Sequence, residues 1–266
     1  MAQTFLITAN TGIGAETARQ LALRDKETQI LFTALDEEKC ASLVAELNDL
    51  GAVSTYFVGD LTDTDTAPKV VAACIARFGR IDGLFNVAGI SGRRYGDGPA
   101  HECTEDGWSR TMETNVTTLY RMCRETLKAM RQQAPGPDGQ RGVILNMASI
   151  LAVSPEPDHF DTVAYAASKG AILAMTRTMA ASYMRDKIRV NAIAPALVRT
   201  PMSARASEDL EILKFIKQKQ PLIADMIPME DVASACVYLL TSQSRSITGQ
   251  VLAVDAGWSL ASLKTC

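Results

Sequence analysis

Residues 4–24 read TFLITANTGIGAETARQLALR. Thr4–Thr8 is rich in β-formers, Gly12 and Gly14 supply a turn, and from Ala15 to Arg24 apolar residues recur at helical spacing. The unit is strand, turn, helix, and it repeats. The same reading predicts a strand over Gln29–Ala34 before a helix over Glu37–Leu50, and a strand over Val53–Val58 before a helix over Thr64–Phe78. A strand over Gly83–Val87 then precedes a long helix around Trp108–Gln132. Further strands are predicted at Gly142–Met147, Ile188–Ile193 and Gln250–Val254, separated by helices near Ala164–Arg185 and Glu230–Leu240, for seven strands and six helices. Apolar strands alternating with helices belong in a parallel sheet covered on both faces and joined by right-handed crossovers. The fold class is therefore α/β, a doubly wound parallel seven-stranded sheet with helices on both faces.

The 266 residues carry 27 Lys+Arg against 30 Asp+Glu, a formal net charge of −3, and 47% of them are hydrophobic. A near-balanced charge without a basic run excludes nucleic acid or an anionic membrane as the main partner, since either requires a concentrated basic face. No window approaches the roughly 20 apolar residues of a membrane span, and MAQTFLITAN has no basic leader, so a cytoplasmic protein is expected. Cys40, Cys74, Cys103, Cys123, Cys236 and Cys266 form no CxxC pair, and there are only two histidines, so neither a metal site nor a disulfide framework is readable. The cysteines read as reduced thiols. The Pro/Gly-rich patch Ala134–Gly142 lies between a predicted helix and strand and reads as a surface loop, leaving one domain over 1–266.

Beyond the first turn, the chain shows Asn86-Val87-Ala88-Gly89 after the fourth strand, Ser149 after the fifth, and Tyr165-Ala166-Ala167-Ser168-Lys169 opening the next helix. With Arg189–Pro195 and Ile247–Gln250, this ordered set resembles the short-chain dehydrogenase/reductase family, in its single-domain branch of about 250 residues, and the resemblance runs from Phe5 to Trp258. It implies a Rossmann-type fold and an NAD(P)-dependent oxidoreductase that interconverts a secondary alcohol and a ketone.

Tyr165 and Lys169 stand one helical turn apart on one face, and an ammonium beside a phenol favours the phenolate. The resemblance makes Tyr165 the general acid/base and gives Lys169 the further task of holding the nicotinamide ribose. Read alone, the pair is also an ordinary helix with a packed Tyr and an exposed Lys. Ser149, at the carboxyl end of a strand where open α/β sheets bind ligands, would hydrogen-bond the substrate oxygen; it is otherwise a turn serine. Asn115 matches the family asparagine whose backbone carbonyl holds a proton-relaying water, with a purely structural role as the alternative. The implied catalytic set is Asn115, Ser149, Tyr165 and Lys169. Between Ser149 and Tyr165, Ser154–Asp158 adds residues to the usual family spacing, and these are expected to bulge at the mouth of the site.

For the cofactor, backbone N–H groups after Gly12-Ile13-Gly14 would face the pyrophosphate, aided by the helix dipole. The family carries Thr-Gly, three residues, then Gly-Ile-Gly. An ungapped match puts Ile7 and Thr8 at the first two places, so Thr8 takes a different backbone path or the loop is shorter. Asp60 and Leu61 match the adenine-contacting residues, Asn86, Ala88 and Gly89 those beside the adenine ribose, and Pro195, Val198 and Thr200 those at the nicotinamide carboxamide. Ala34 and Leu35 end the second strand with neither the acid that favours NAD nor the base that accepts the 2′-phosphate of NADP. Asn10 and Thr11 in the first turn are uncharged too, so NAD is preferred over NADP.

Pro201–Pro228 has a helical middle, Leu210–Lys219, suited to a substrate lid over about 197–228 or to a plain surface helix. Arg93 and Arg94 lie near the expected pocket mouth, where a guanidinium grips a carboxylate or phosphate, or forms a solvated pair. His101 and His159 receive no catalytic role, and Trp108 and Trp258 read as packing residues. The partner is a small-molecule alcohol or ketone, and the family resemblance implies a homotetramer. The rival reading is a non-catalytic cofactor-sensing or scaffold protein of the same fold. An epimerase or dehydratase of the extended branch is disfavoured, because no longer substrate domain is visible.

Overall fold

The structure, a computed structural model, describes residues 2–262. Seven parallel strands form one sheet in the order β3-β2-β1-β4-β5-β6-β7. They are β1 (Thr4–Ile7), β2 (Gln29–Ala34), β3 (Val53–Val58), β4 (Gly83–Asn86), β5 (Gly142–Met147), β6 (Ile188–Pro195) and β7 (Val251–Val254). The order turns at β1 and β4, which pair directly with Ile7 opposite Phe85. That reversal is where a doubly wound sheet opens a crevice at the carboxyl ends of its strands.

Helices α1 (Gly12–Arg24), α2 (Glu37–Asp49) and α3 (Thr66–Phe78) follow the first three strands. The long helix predicted over Trp108–Gln132 starts earlier and is broken. Thr104 caps α4 (Glu105–Met112) by accepting from the Gly107 N–H, then Glu113–Thr117 winds as a π-helical turn before α5 (Thr118–Gln132). The remaining helices are α6 (Pro157–Phe160), α7 (Val163–Tyr183), α8 (Ala204–Glu208), α9 (Leu210–Lys219) and α10 (Met229–Leu240). The described residues hold ten helices: the long one is split into α4 and α5, α9 coincides with the helical middle expected at Leu210–Lys219, and the short α6 and α8 are additions around the site.

Strand alternation builds two apolar layers. Phe5, Ile7, Phe32, Phe85 and Leu145 point to one face, under α1, α2 and α10. Leu6, Leu31, Leu84, Ile144 and Val190 point to the other, under α3, α5 and α7. Period-two exposure to two helical layers is the reason these strands read as continuous apolar runs. A third, smaller cluster, with Ile150, Ile212, Ile216 and Trp258, anchors α9 above the carboxyl edge. No described helix is long and apolar enough to cross a membrane. Cys40, Cys74, Cys103, Cys123 and Cys236 are free thiols; Cys266 lies outside the described residues.

Candidate active site

A cavity of about 340 Å³ opens at the carboxyl edge of the sheet. Ser149, Tyr165 and Lys169 line it, together with Gly12 and Ile13 of the first turn. Ala88 and Gly89 after β4, Pro195 at the end of β6, and Val198 and Thr200 beyond it complete the predicted residues in its wall. Thr8, Asn10, Gly14, Asp60, Leu61, Asn86 and Asn115 stand outside the lining.

Ser149 follows β5 and caps the short 3₁₀ turn Ile150–Ala152, its Oγ accepting from the Leu151 N–H at 3.3 Å. Tyr165, in the first turn of α7, faces the same cavity as Ser149. Lys169, one turn later, is buried; its Nζ donates to the Met147 carbonyl at 2.9 Å and lies 5.6 Å from the centre of the Tyr165 ring. Burial lowers the Lys169 pKa to about 8. The phenol behaves otherwise than the sequence pattern suggests: burial pushes its pKa up, and the opposing pull comes from Ser149. The ammonium reaches the face of the ring and the Met147 carbonyl, which is why its proximity along the helix does not translate into a direct bond to the phenol oxygen.

Asn115 is fully buried inside the π-helical turn. Its Nδ2 donates to the Ile90 carbonyl at 3.0 Å and to Ser168 Oγ at 2.9 Å, and its Oδ1 accepts from the Ile90 N–H at 2.8 Å. The side chain thereby ties the loop after β4 to α7. A π turn leaves the helix ladder out of its usual step, which frees backbone groups and recurs at functional sites.

Residues 7–259 match the family model described as Enoyl-(Acyl carrier protein) reductase. The chain is 34% identical to the A-factor type gamma-butyrolactone 1'-reductase (1S-forming) of Streptomyces virginiae, over 95% of this chain and 93% of that one. It is 31% identical to the 2-keto-3-deoxy-L-fuconate dehydrogenase of Xanthomonas campestris pv. campestris, over 96% and 79% respectively. A solved variant of actinorhodin polyketide ketoreductase with NADPH superposes with a TM-score of 0.84 at 28% identity, over 97% of this chain and 98% of that one. The chain belongs to the short-chain dehydrogenase/reductase family. As a member it is an oxidoreductase that works with a nicotinamide cofactor.

The first turn of this short-chain dehydrogenase fits such a cofactor. Gly12 adopts φ +55°, and a Cβ on Gly14 would stand 2.8 Å from Ala9 Cβ, so both positions need a bare backbone for α1 to pack onto β1. The first turn of α1 carries no acidic residue, and its cap residue Thr11 makes no side-chain cap bond, so the helix N-terminus faces the cavity with its dipole uncompensated. Gly89 leaves open the space where a Cβ would approach Lys169 Nζ to 3.7 Å.

Of the two paths open to Thr8, the loop is the shortened one. Thr8 prolongs β1 with ordinary backbone, its N–H donating to Phe85 at 3.0 Å. Its hydroxyl accepts from the Val87 and Ala88 N–H groups at 2.9 and 3.1 Å. Counted from Thr8 as the family threonine, only Ala9, Asn10 and Thr11 precede Gly12; a residue of the turn, glycine in the family, is lost. Asn10 turns away from the cavity, its amide donating to the Asp36 carbonyl and to Cys40 Sγ. Asn86 is likewise turned into the sheet, donating to Asn146 at 2.9 Å, and Asp60 braces its own turn through Thr62.

Several wall residues carried no sequence signal. Ser154–Asp158 does not bulge freely: the Ser154 carbonyl accepts from Trp258 Nε1 at 3.2 Å, and buried Glu156 pairs with Lys219 of α9 at 3.5 Å. These contacts seat Phe160 and Trp258 in the cavity wall. Trp108, by contrast, is 41% exposed and packs little. Asp97 is buried, and its carboxylate accepts from the N–H groups of Ala164 and Tyr165 at 3.0 and 2.9 Å. Only the shape of the loop after β4 brings it there, nearly 70 positions before the helix it caps. The two arginines of that loop part company: Arg93 joins the cavity wall, and Arg94 lies over the Tyr95 ring.

Proposed function

We propose that this oxidoreductase interconverts a secondary alcohol and a ketone, with Tyr165 as general acid/base and Ser149 holding the reacting oxygen. The reading is carried by one observation: Ser149, Tyr165 and Lys169 face the same cavity as the N-terminus of α1. When bound, the nicotinamide ring supplies or accepts the hydride. In the oxidation direction the Tyr165 oxygen takes the hydroxyl proton while Ser149 Oγ donates to the developing oxygen charge. Lys169, anchored on Met147, presents its remaining N–H groups to the cofactor ribose, and the backbone of the π turn at Asn115 supports proton exchange behind it. Gly12, Ile13 and Gly14 cradle the pyrophosphate, with Thr8 and Asn10 shaping that loop, while Asp60, Leu61, Asn86, Ala88 and Gly89 border the adenosine. Pro195, Val198 and Thr200 hold the carboxamide.

NAD is the favoured form. Neither Asn10 and Thr11 nor Ala34 and Leu35 offers a base for a 2′-phosphate, and the nearby Lys39 is paired with Asp36 at 2.7 Å. The whole chain acts as one dinucleotide-binding domain in which residues 197–228 cover the substrate, a reading supported by Met202 and Ala206 in the cavity wall. A cytoplasmic homotetramer fits the half-exposed Tyr120 on α5 and Leu252 on the outer strand β7. A non-catalytic sensor has no need of a serine, a tyrosine and a buried lysine facing one cavity.

The test is a fluorescence titration with NADH and with NADPH, repeated on Tyr165→Phe. We expect micromolar binding, tighter for NADH, unchanged in the variant, whose turnover of a ketone panel falls by about 10³-fold or more. Binding of neither cofactor, or substantial residual turnover by the variant, overturns the reading.

A further inference from the structure

We infer that the substrate carries a carboxylate, held between Arg93 and Arg205 at the mouth of the cavity. The inference rests on the oxidoreductase reading of the same site and adds the substrate class to it.

The two guanidinium groups reach this cavity from separate parts of the chain, Arg93 from the loop after β4 and Arg205 from α8. The same cavity holds Ser149 and Tyr165. Among the described residues neither arginine has a carboxylate oxygen within 4.0 Å, and the Arg205 guanidinium makes no hydrogen bond to the protein. Arg93 gives one N–H to the His159 carbonyl at 2.9 Å, which fixes the guanidinium and leaves its other donors free. The nearby Asp97 lies beyond 4.0 Å of the guanidinium and turns its carboxylate to the N-terminus of α7.

Two cations brought to one wall without a carboxylate in direct contact repel each other. Arg93 has its proton affinity lowered, first by burial and then by Arg205, against a weaker opposing pull from Asp97 and Asp161. Such an arrangement becomes favourable when an anion enters between the two forks, which match the two oxygens of a carboxylate. The rest of the wall narrows the class. Leu151, Phe160, Met202 and Trp258 are apolar, so the body between the reacting carbon and the anionic end is hydrocarbon. With one fork partly used on His159, the pair suits a singly charged group better than a doubly charged phosphate. The substrate is thus an oxo acid or the corresponding hydroxy acid, its oxygen at Ser149 and Tyr165 and its carboxylate at the arginines.

The experiment measures binding, so that it does not depend on turnover. Linear oxo acids of five to eight carbons and their methyl esters are titrated into the NADH-loaded full chain by saturation-transfer NMR, with steady-state rates recorded alongside. At least one acid is expected to bind tenfold or more tightly than its ester. Arg205→Gln and Arg93→Gln are each expected to cut that ratio about tenfold, whereas Arg94→Gln, which alters an arginine outside the cavity, leaves it intact. Arg205 is exposed, so its variant keeps the test valid should Arg93→Gln fail to fold. If no acid is preferred over its ester, including the case in which none binds, the inference is overturned. It is equally overturned if the variants weaken acid and ester alike. Turnover of neutral ketones with loss of this one preference leaves the oxidoreductase reading standing, whereas binding of neither NADH nor NADPH removes that reading itself.

Discussion

Lys169 is the side chain whose charge the fold disturbs most clearly. Its Nζ has one protein acceptor, Met147, and burial holds its pKa near 8, against an ordinary value of about 10.4. Between those values the unfolded chain binds more protons than the native one, so the lysine's share of stability rises as pH climbs from 8 towards 10. Below pH 8 the full cost of the buried ammonium is present in the native state. Lys169→Met removes that dependence. Urea unfolding at pH 7, 8, 9 and 9.5 is expected to give stabilities for wild type and variant whose difference shrinks or reverses as pH rises; parallel profiles sink the assignment. Ser149 works at the same scale: Ser149→Ala is expected to lower kcat about 10²-fold with little change in cofactor affinity, measured by steady-state kinetics against NADH binding.

Helix α7 carries Tyr165 and Lys169 yet does not cap itself. Thr162, its cap residue, makes no side-chain cap bond, and the role passes to Asp97 from the loop after β4. That loop is held closely: a Cβ on Gly92 would meet Thr111 Oγ1 at 2.2 Å, and one on Gly107 would meet the Asp97 backbone N at 2.6 Å. The carboxylate therefore both meets the positive end of the α7 dipole and sets the height of Tyr165 over Ser149. Asp97→Ala is expected to cost about 1–2 kcal/mol of stability and to lower kcat while sparing NADH affinity, with Asp97→Asn recovering part of both. Thermal unfolding and kinetics on the two variants check this; equal kcat in all three proteins rules out a positioning role. The π turn is the comparable device on the opposite side, where Asn115 trades helix regularity for three bonds to Ile90 and Ser168.

Across the whole molecule, Arg189 of β6 fastens the sheet to the end of α10. Its guanidinium donates to the carbonyls of Leu239 and Thr241 at 3.0 and 3.1 Å, to Ser244 Oγ at 3.0 Å and to Gln140 at 2.8 Å. Burial lowers its pKa to about 10, still protonated at neutral pH. Arg189→Ala leaves helix-terminal carbonyls without donors and is expected to cost about 2–4 kcal/mol, while Arg189→Lys recovers only part, since a point charge cannot span the fork. Urea unfolding of both variants measures it; a loss under about 0.5 kcal/mol means water replaces the guanidinium without penalty.

The strand runs, the helix that bears Tyr165 and Lys169, and α9 at Leu210–Lys219 were legible in the chain because period-two and period-3.6 burial and one-turn spacing are local properties. The family resemblance rested on the same local motifs in order. What tertiary structure alone decided lies in contacts between distant segments. It was the pairing of Thr8 with the loop after β4 that turned a missing glycine into a shortened turn, and the reach of Asp97 to α7 that supplied a cap. The sheet edge likewise put Arg93 and Arg205, more than a hundred positions apart, into one wall. Spacing along a chain specifies which face of an element a side chain occupies; which faces meet depends on how the layers close around the core, and no local pattern encodes that.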